Sequence, residues 1–176
     1  MNRRLVVLAG AGMAAAAIGA GTALRRARDD AEDGQAPVSI DVWTLNFESL
    51  DGAPIKMADW RGRPLLLNFW ATWCGPCVVE MPLLDRFAQE QRPRGWQVLA
   101  LAVDQPDPVR RFIAERNLRL PVAIAGAIGL DLSRHLGNTG GGLPFTAAFD
   151  SRGAAAERRL GTVTAELLGR WTTSVH

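Results

Sequence analysis

Cysteine is nearly missing from this sequence: among 176 residues only Cys74 and Cys77 carry a thiol. Two thiols cannot staple a disulfide-dense mini-fold, and they cannot fill a four-cysteine zinc site. Tyrosine is absent, lysine occurs once at Lys56, and histidine only at His135 and His176. Charge of one sign is not in excess either, since 20 basic and 18 acidic residues leave a net charge of +2. A nucleic-acid binder ordinarily carries a larger, clustered positive excess, so no nucleic-acid partner is expected. The positive charge is almost all arginine, which reads as genome composition rather than function. What the chain does have is apolar: 48% hydrophobic residues against 22% charged, which argues against disorder. The length suits one domain with a sizeable core, not two.

One apolar run is long. Leu5 to Leu24 carries no charge and lies between Arg3-Arg4 and the cluster Arg25, Arg26 and Arg28. About 20 such residues can span a bilayer. Residues 1–24 are therefore read as an uncleaved signal anchor or a cleaved signal peptide, which makes the membrane a partner. Gly21-Thr22-Ala23 offers a small-x-small site in poor context, and Arg3-Arg4 weakly resembles a twin-arginine signal. Arginines at both ends leave the positive-inside count undecided. Residues 25–37, with Asp29, Asp30, Glu32 and Asp33, read as a charged flexible linker. The globular domain is expected over 38–176.

Within that domain, strand and helix patterns alternate. Val42–Phe47 reads as a strand, followed by a turn and a short return strand at Ile55–Met57. Pro64–Ala71 is a near-continuous apolar run, as in a strand buried on both faces. Cys77–Gln91 reads as a helix, which Pro82 should bend. Gln97–Val103, Pro121–Ala125, Phe145–Phe149 and Ala155–Leu160 read as strands. Pro108–Arg116, Leu130–Leu136 and Thr164–Thr172 read as helices. The order implies a mixed sheet covered by helices.

The chemistry gathers at Trp73-Cys74-Gly75-Pro76-Cys77. A strand runs in and a helix runs out, so Cys74 stands at a helix N-terminus, where free N–H groups favour a thiolate. Two intervening residues let Cys77 reach back within one turn. Cys74 would then attack a substrate disulfide and Cys77 would resolve the mixed disulfide. Pro76 suits a first turn because it has no N–H to leave unpaired. A purely structural disulfide constrains little over so short a loop. Zinc would need two more ligands, and attached c-type haem would need a histidine where Val78 stands. A copper site using both thiols and His135 is a conceivable alternative.

The segment Leu67-Asn68-Phe69-Trp70-Ala71-Thr72-Trp73-Cys74-Gly75-Pro76-Cys77 resembles the active-site strand and helix start of the thioredoxin superfamily. More narrowly, the chain resembles the membrane-anchored, extracytoplasmic TlpA/ResA-like thiol–disulfide oxidoreductases. Glu80-Met81-Pro82 matches the Glu-x-Pro of that branch, and Leu143-Pro144-Phe145-Thr146 with Phe149-Asp150 matches its Pro-x-Thr strand. The 67 positions from Cys77 to Pro144 leave room for one inserted αβ unit. The resemblance implies an α/β thioredoxin fold: a central mixed sheet flanked by helices, an N-terminal β-hairpin and that insertion. It implies a cis bond before Pro144, which should sit against the two sulfurs. It makes Trp73, Gly75, Pro76 and Leu143 the surface that meets substrate, with Pro144 keeping metals off the thiols. No metal or cofactor is expected beyond the Cys74–Cys77 disulfide itself.

Glu80 lies one turn after Cys77 on the same helix side, where a carboxyl could move protons to or from the resolving thiol. Cytosolic thioredoxins carry a buried Asp where this chain has Asn68, so Glu80 is the candidate proton handler. Its ordinary reading is a solvated helix residue. His135 reads as a structural histidine, and Gly140-Gly141-Gly142 is not a phosphate loop because no helix with Lys follows. Arg110-Arg111 and Arg158-Arg159 read as solvated faces, and Trp43, Trp60, Trp96 and Trp171 as packing.

The resulting expectation is a thiol–disulfide oxidoreductase in the periplasm, on the outer face of the inner membrane. It would reduce protein disulfides, with apocytochrome c or other exported thiol proteins as clients and a membrane-embedded thiol carrier as electron donor. Two alternatives stand beside it. A peroxiredoxin-like thiol peroxidase would need a Pro-x-x-x-Thr-x-x-Cys approach, which does not precede Cys74. A copper carrier or tethered chaperone would bind without turnover.

Overall fold

A computed structural model describes residues 40–176. The expected signal segment, the linker and the Val38 boundary lie outside the described residues. The described part forms a seven-stranded sheet in the order β2-β1-β5-β4-β3-β6-β7. Its strands are β1 (Asn46–Ser49), β2 (Pro54–Lys56), β3 (Leu65–Trp70), β4 (Gln97–Ala102), β5 (Val122–Ile124), β6 (Phe145–Phe149) and β7 (Ala155–Leu160). Four helices cover it: α1 (Gly75–Gln91), α2 (Pro106–Glu115), α3 (Ile128–His135) and α4 (Ala165–Ser174). Strands β3, β4 and β5 run parallel, while β6 returns antiparallel to β3. The expected N-terminal hairpin is β1 against β2, and between β4 and β6 the chain runs α2-β5-α3, one αβ unit more than a single crossover helix. Among the described residues no helix is long and apolar enough to cross a membrane.

Strand periodicity explains the two cores. Successive side chains leave opposite faces of a sheet. Leu66 and Trp70 of β3, with Val98, Ala100 and Ala102 of β4, join one cluster under Cys77, Met81, Leu84 and Phe87 of α1 and Leu168 and Trp171 of α4. Leu65, Leu67 and Phe69, with Leu99 and Leu101, join the other cluster, against Trp43, Met57 and Leu132. Every residue of β3 is buried, as its apolar run requires. Each such Leu or Phe contributes about 1.5–3 kcal/mol by leaving water.

Most boundaries shift by a residue or two from the sequence reading, and three of the differences have a plain cause. Val42–Thr44 is a 3-10 turn rather than the start of a strand. Asp41 causes it: its carboxylate accepts the Trp43 N–H at 3.1 Å, and its carbonyl accepts the Thr44 hydroxyl at 2.8 Å. Helix α1 begins at Gly75, two residues early, because Cys74 is its extended N-cap, and it runs past Pro82 to Gln91 as one helix. Helix α2 starts at Pro106, since a proline in the first turn gives up no intrahelical bond.

The far end of the sheet from Cys74 is closed by the β6–β7 turn. Trp43 donates its indole N–H to the Gly153 carbonyl at 2.9 Å. Gly153 has φ +88°, and a Cβ there would lie 2.9 Å from Trp43 Nε1. Gly153→Ala therefore combines left-handed strain with a clash, and should cost about 1–2 kcal/mol in urea unfolding. A change below about 0.5 kcal/mol, the level of a neutral surface substitution, would contradict this.

Candidate active site

Strand β3 delivers the chain to the site. Beyond Trp70 it leaves the sheet, and the Cys74 N–H donates to Ala71 O at 3.2 Å, turning the chain into α1. Thr72 is pinned from the neighbouring strand end: Asp104 Oδ2 accepts its N–H at 2.8 Å and its hydroxyl at 2.6 Å. Asp104 follows β4, which pairs in parallel with β3, so the topology places it beside the loop. Sequence reading missed it; its partner is 32 positions away and no local pattern links them.

Cys74 and Cys77 form a disulfide with their Cα atoms 5.2 Å apart. Their surroundings differ. Cys77 is fully buried, whereas Cys74 is 7% exposed at the helix mouth, beside exposed Gly75 and Pro76. The Cys77 N–H points at Cys74 Sγ, 3.3 Å away. A donor so placed stabilises negative charge on Cys74 once the bond is reduced, adding to the dipole of a 17-residue helix.

Glu80 is not a solvated helix residue. It is 3% exposed on the core side of α1. Its Oε1 accepts from Asn68 Nδ2 at 2.9 Å and its Oε2 from the Val163 N–H at 2.9 Å. Burial pushes its pKa above the ordinary 4.5, against the two hydrogen bonds, which pull it down. Asn68 Nδ2 also donates to Thr146 Oγ1 at 2.9 Å, since Asn68 and Thr146 are register partners on β3 and β6. Both donors of the amide are thus committed, and Asn68 Oδ1 is buried without a partner.

Pro144 follows a cis peptide bond from Leu143, is buried, and leads directly into β6. Phe145 pairs with Phe69, so Pro144 lies level with Trp70, at the sheet end from which the cysteine loop departs. Leu143 packs against the cluster holding both cysteines. Trp73 is 67% exposed, an apolar surface on the edge of the site. The loop before Leu143 is held by buried Asn138, whose Nδ2 donates to Gly142 O at 2.8 Å and Ser133 Oγ at 3.1 Å. His135 stays apart, exposed on α3, with Nδ1 2.9 Å from Asp131 O. Among the described residues no group of three or more His, Cys, Asp or Glu side chains converges.

Known proteins resemble this chain in sequence and in fold. The Redoxin family matches residues 30–169. The thiol–disulfide oxidoreductase ResA of Bacillus thuringiensis (strain Al Hakam) is 34% identical over 121 residues, covering 68% of this chain and 67% of the relative. A thioredoxin-family thiol:disulfide interchange protein from Chlorobium tepidum superposes with a TM-score of 0.65, at 23% identity over 80% of this chain and 98% of its own. A secreted thiol–disulfide isomerase from Corynebacterium glutamicum does so at 0.66, with 22% identity over 81% and 92%. The thioredoxin-like fold expected from the sequence is the fold observed.

Proposed function

The chain belongs to the Redoxin family, and from that premise we propose that it reduces disulfides of exported proteins on the outer face of a bacterial inner membrane. It is a thiol–disulfide oxidoreductase, as its ResA relatives are named. The observation that carries the reading is the unequal placement of the two sulfurs, one at the helix mouth and one sealed beneath it. The direction, the membrane tether and a role in cytochrome c maturation rest on the Gly75-Pro76 dipeptide and the N-terminal sequence.

The reaction balances on four sulfurs. The Cys74 thiolate attacks one sulfur of the client disulfide, and the other client sulfur leaves as a thiolate that takes a proton from solvent. Cys77 then loses its proton, attacks Cys74 Sγ and expels the second client thiolate. Two electrons pass to the client, and a membrane-embedded dithiol donor restores the pair. Glu80, whose pKa is raised by burial, is the proposed acceptor of the Cys77 proton. Pro144 closes the sulfurs off from metals, while Leu143, Trp73, Gly75 and Pro76 form the face offered to the client.

Two measurements test this. Equilibration with glutathione should leave the Cys74–Cys77 pair oxidised, at a potential tens of millivolts below that of glutathione. A pair that glutathione holds reduced would reverse the direction. In Glu80→Gln, the rise in exchange rate as pH passes through the Glu80 pKa should disappear, because Gln accepts no proton. An unchanged pH profile would remove Glu80 from the proton path.

A further inference from the structure

An open groove of about 560 Å³ lies at the end of the sheet opposite the disulfide. It is walled by Trp60, Trp96 and Gln97 where β3 and β4 begin, by Arg63, by Arg92 beyond the C-terminus of α1, and by Arg119 before β5. The three arginines are exposed. Among the described residues none of them has an acidic partner, and no carboxylate lines the groove. The nearby carboxylates are turned elsewhere. Asp85 accepts the Arg119 and Leu120 amides and Gln89 Nε2, while Glu90 faces Arg86. One guanidinium is held open by Gln97, which accepts from Arg63 Nη2 at 2.9 Å and itself donates to Trp60 O at 2.7 Å.

The groove shares its end of the sheet with the entry of the chain. Ile40, the first described residue, packs on the cluster containing Trp43, which is fixed to Gly153 at the β6–β7 turn. A domain tied to a bilayer through residues before Ile40 therefore has this end available to the lipid surface. Guanidinium forks bind phosphate oxygens in pairs, and Trp60, half-buried where Trp96 is packed into the core, offers an indole of the kind that settles at the headgroup level of membranes. We propose that the groove docks anionic phospholipid headgroups through Arg63, Arg92 and Arg119, holding the domain with the Cys74–Cys77 pair facing away from the membrane.

The proposal extends the tethered reading above, but its test needs no leader. Residues Ile40–His176 form a compact unit with both cores inside it, so a chain beginning at Val38 serves. Flotation with phosphatidylcholine vesicles, with and without phosphatidylglycerol, should show binding only to the anionic ones. Each basic residue near such a surface changes binding roughly fivefold, so Arg63→Gln/Arg92→Gln/Arg119→Gln should weaken it on the order of a hundredfold. Arg111→Gln/Arg159→Gln/Arg170→Gln removes equal charge outside the groove and should change it only a fewfold. Equal losses in both variants, or binding without preference for anionic lipid, would overturn the proposal. So would displacement by inorganic phosphate at low millimolar concentration, or capture of a polyglutamate peptide without vesicle binding, which assign the groove to a soluble anion or a protein. Insulin disulfide reduction should be the same in the groove variant as in the parent. Failure of the parent in that assay would count against the exchange function, not against the groove.

Discussion

Cys77→Ser will hold client proteins as lasting mixed disulfides through Cys74, while its turnover of an insulin-type disulfide falls by at least about a thousandfold. Cys74→Ser will lose turnover equally and capture nothing. The asymmetry follows from position. Cys74 caps α1, faces the Cys77 N–H and keeps a small opening to solvent, whereas Cys77 has none. On the proposed division of roles, an incoming disulfide should meet Cys74, and Cys77 should release it. In the reduced protein the same geometry should let iodoacetamide modify Cys74 at least roughly tenfold faster, with a thiol pKa below the usual range. Mass spectrometry of the alkylated peptides decides it. Equal labelling, or clients trapped by the Cys74→Ser variant, would mean that the roles are not divided as the structure divides them.

Asn68→Leu should destabilise the protein by about 3 kcal/mol at pH 8 and by far less at pH 4. Leucine keeps the branched shape and heavy-atom count of asparagine, though it is bulkier, and supplies no donor. Glu80 Oε1 and Thr146 Oγ1 both lose their partner in a position closed to water. The sign follows from the carboxyl. A folded-state pKa raised by burial gives stability that is present below the ordinary 4.5 and is lost as pH rises through the raised value. The Asn68 donor favours the ionised form, so it limits that loss. Without it the carboxyl titrates higher still, and the penalty grows with pH. Urea unfolding of both proteins across this range is the check, and the effect should shrink in a Glu80→Gln background. A pH-independent difference would mean that Asn68 acts by packing alone.

Much of this was legible locally. The apolar run of β3 and the strands β6 and β7 follow from periodicity. The cysteine pair is readable because its two sulfurs are three positions apart, a distance one helical turn closes. Glu80 was readable only in half. Spacing puts it on the Cys77 side of α1, but its exposure depends on Val163, 83 positions away, and on a β3–β6 register that no periodicity encodes. Asp104 and Asn138 were invisible for the same reason: each is polar, near a turn, and indistinguishable from a solvated loop residue until its partner is known.

Sequence alone determined which chemistry this protein can do, because a thiol pair at the start of a helix needs only neighbours in the chain to be recognised. Tertiary structure alone decided how that chemistry is supported. Strand order brings Asn68, Thr146, Val163 and Asp104 to one end of the sheet, and gathers Arg63, Arg92 and Arg119 at the other. Such meetings depend on which strands become neighbours, a choice set by burying two apolar faces at once rather than by any single segment.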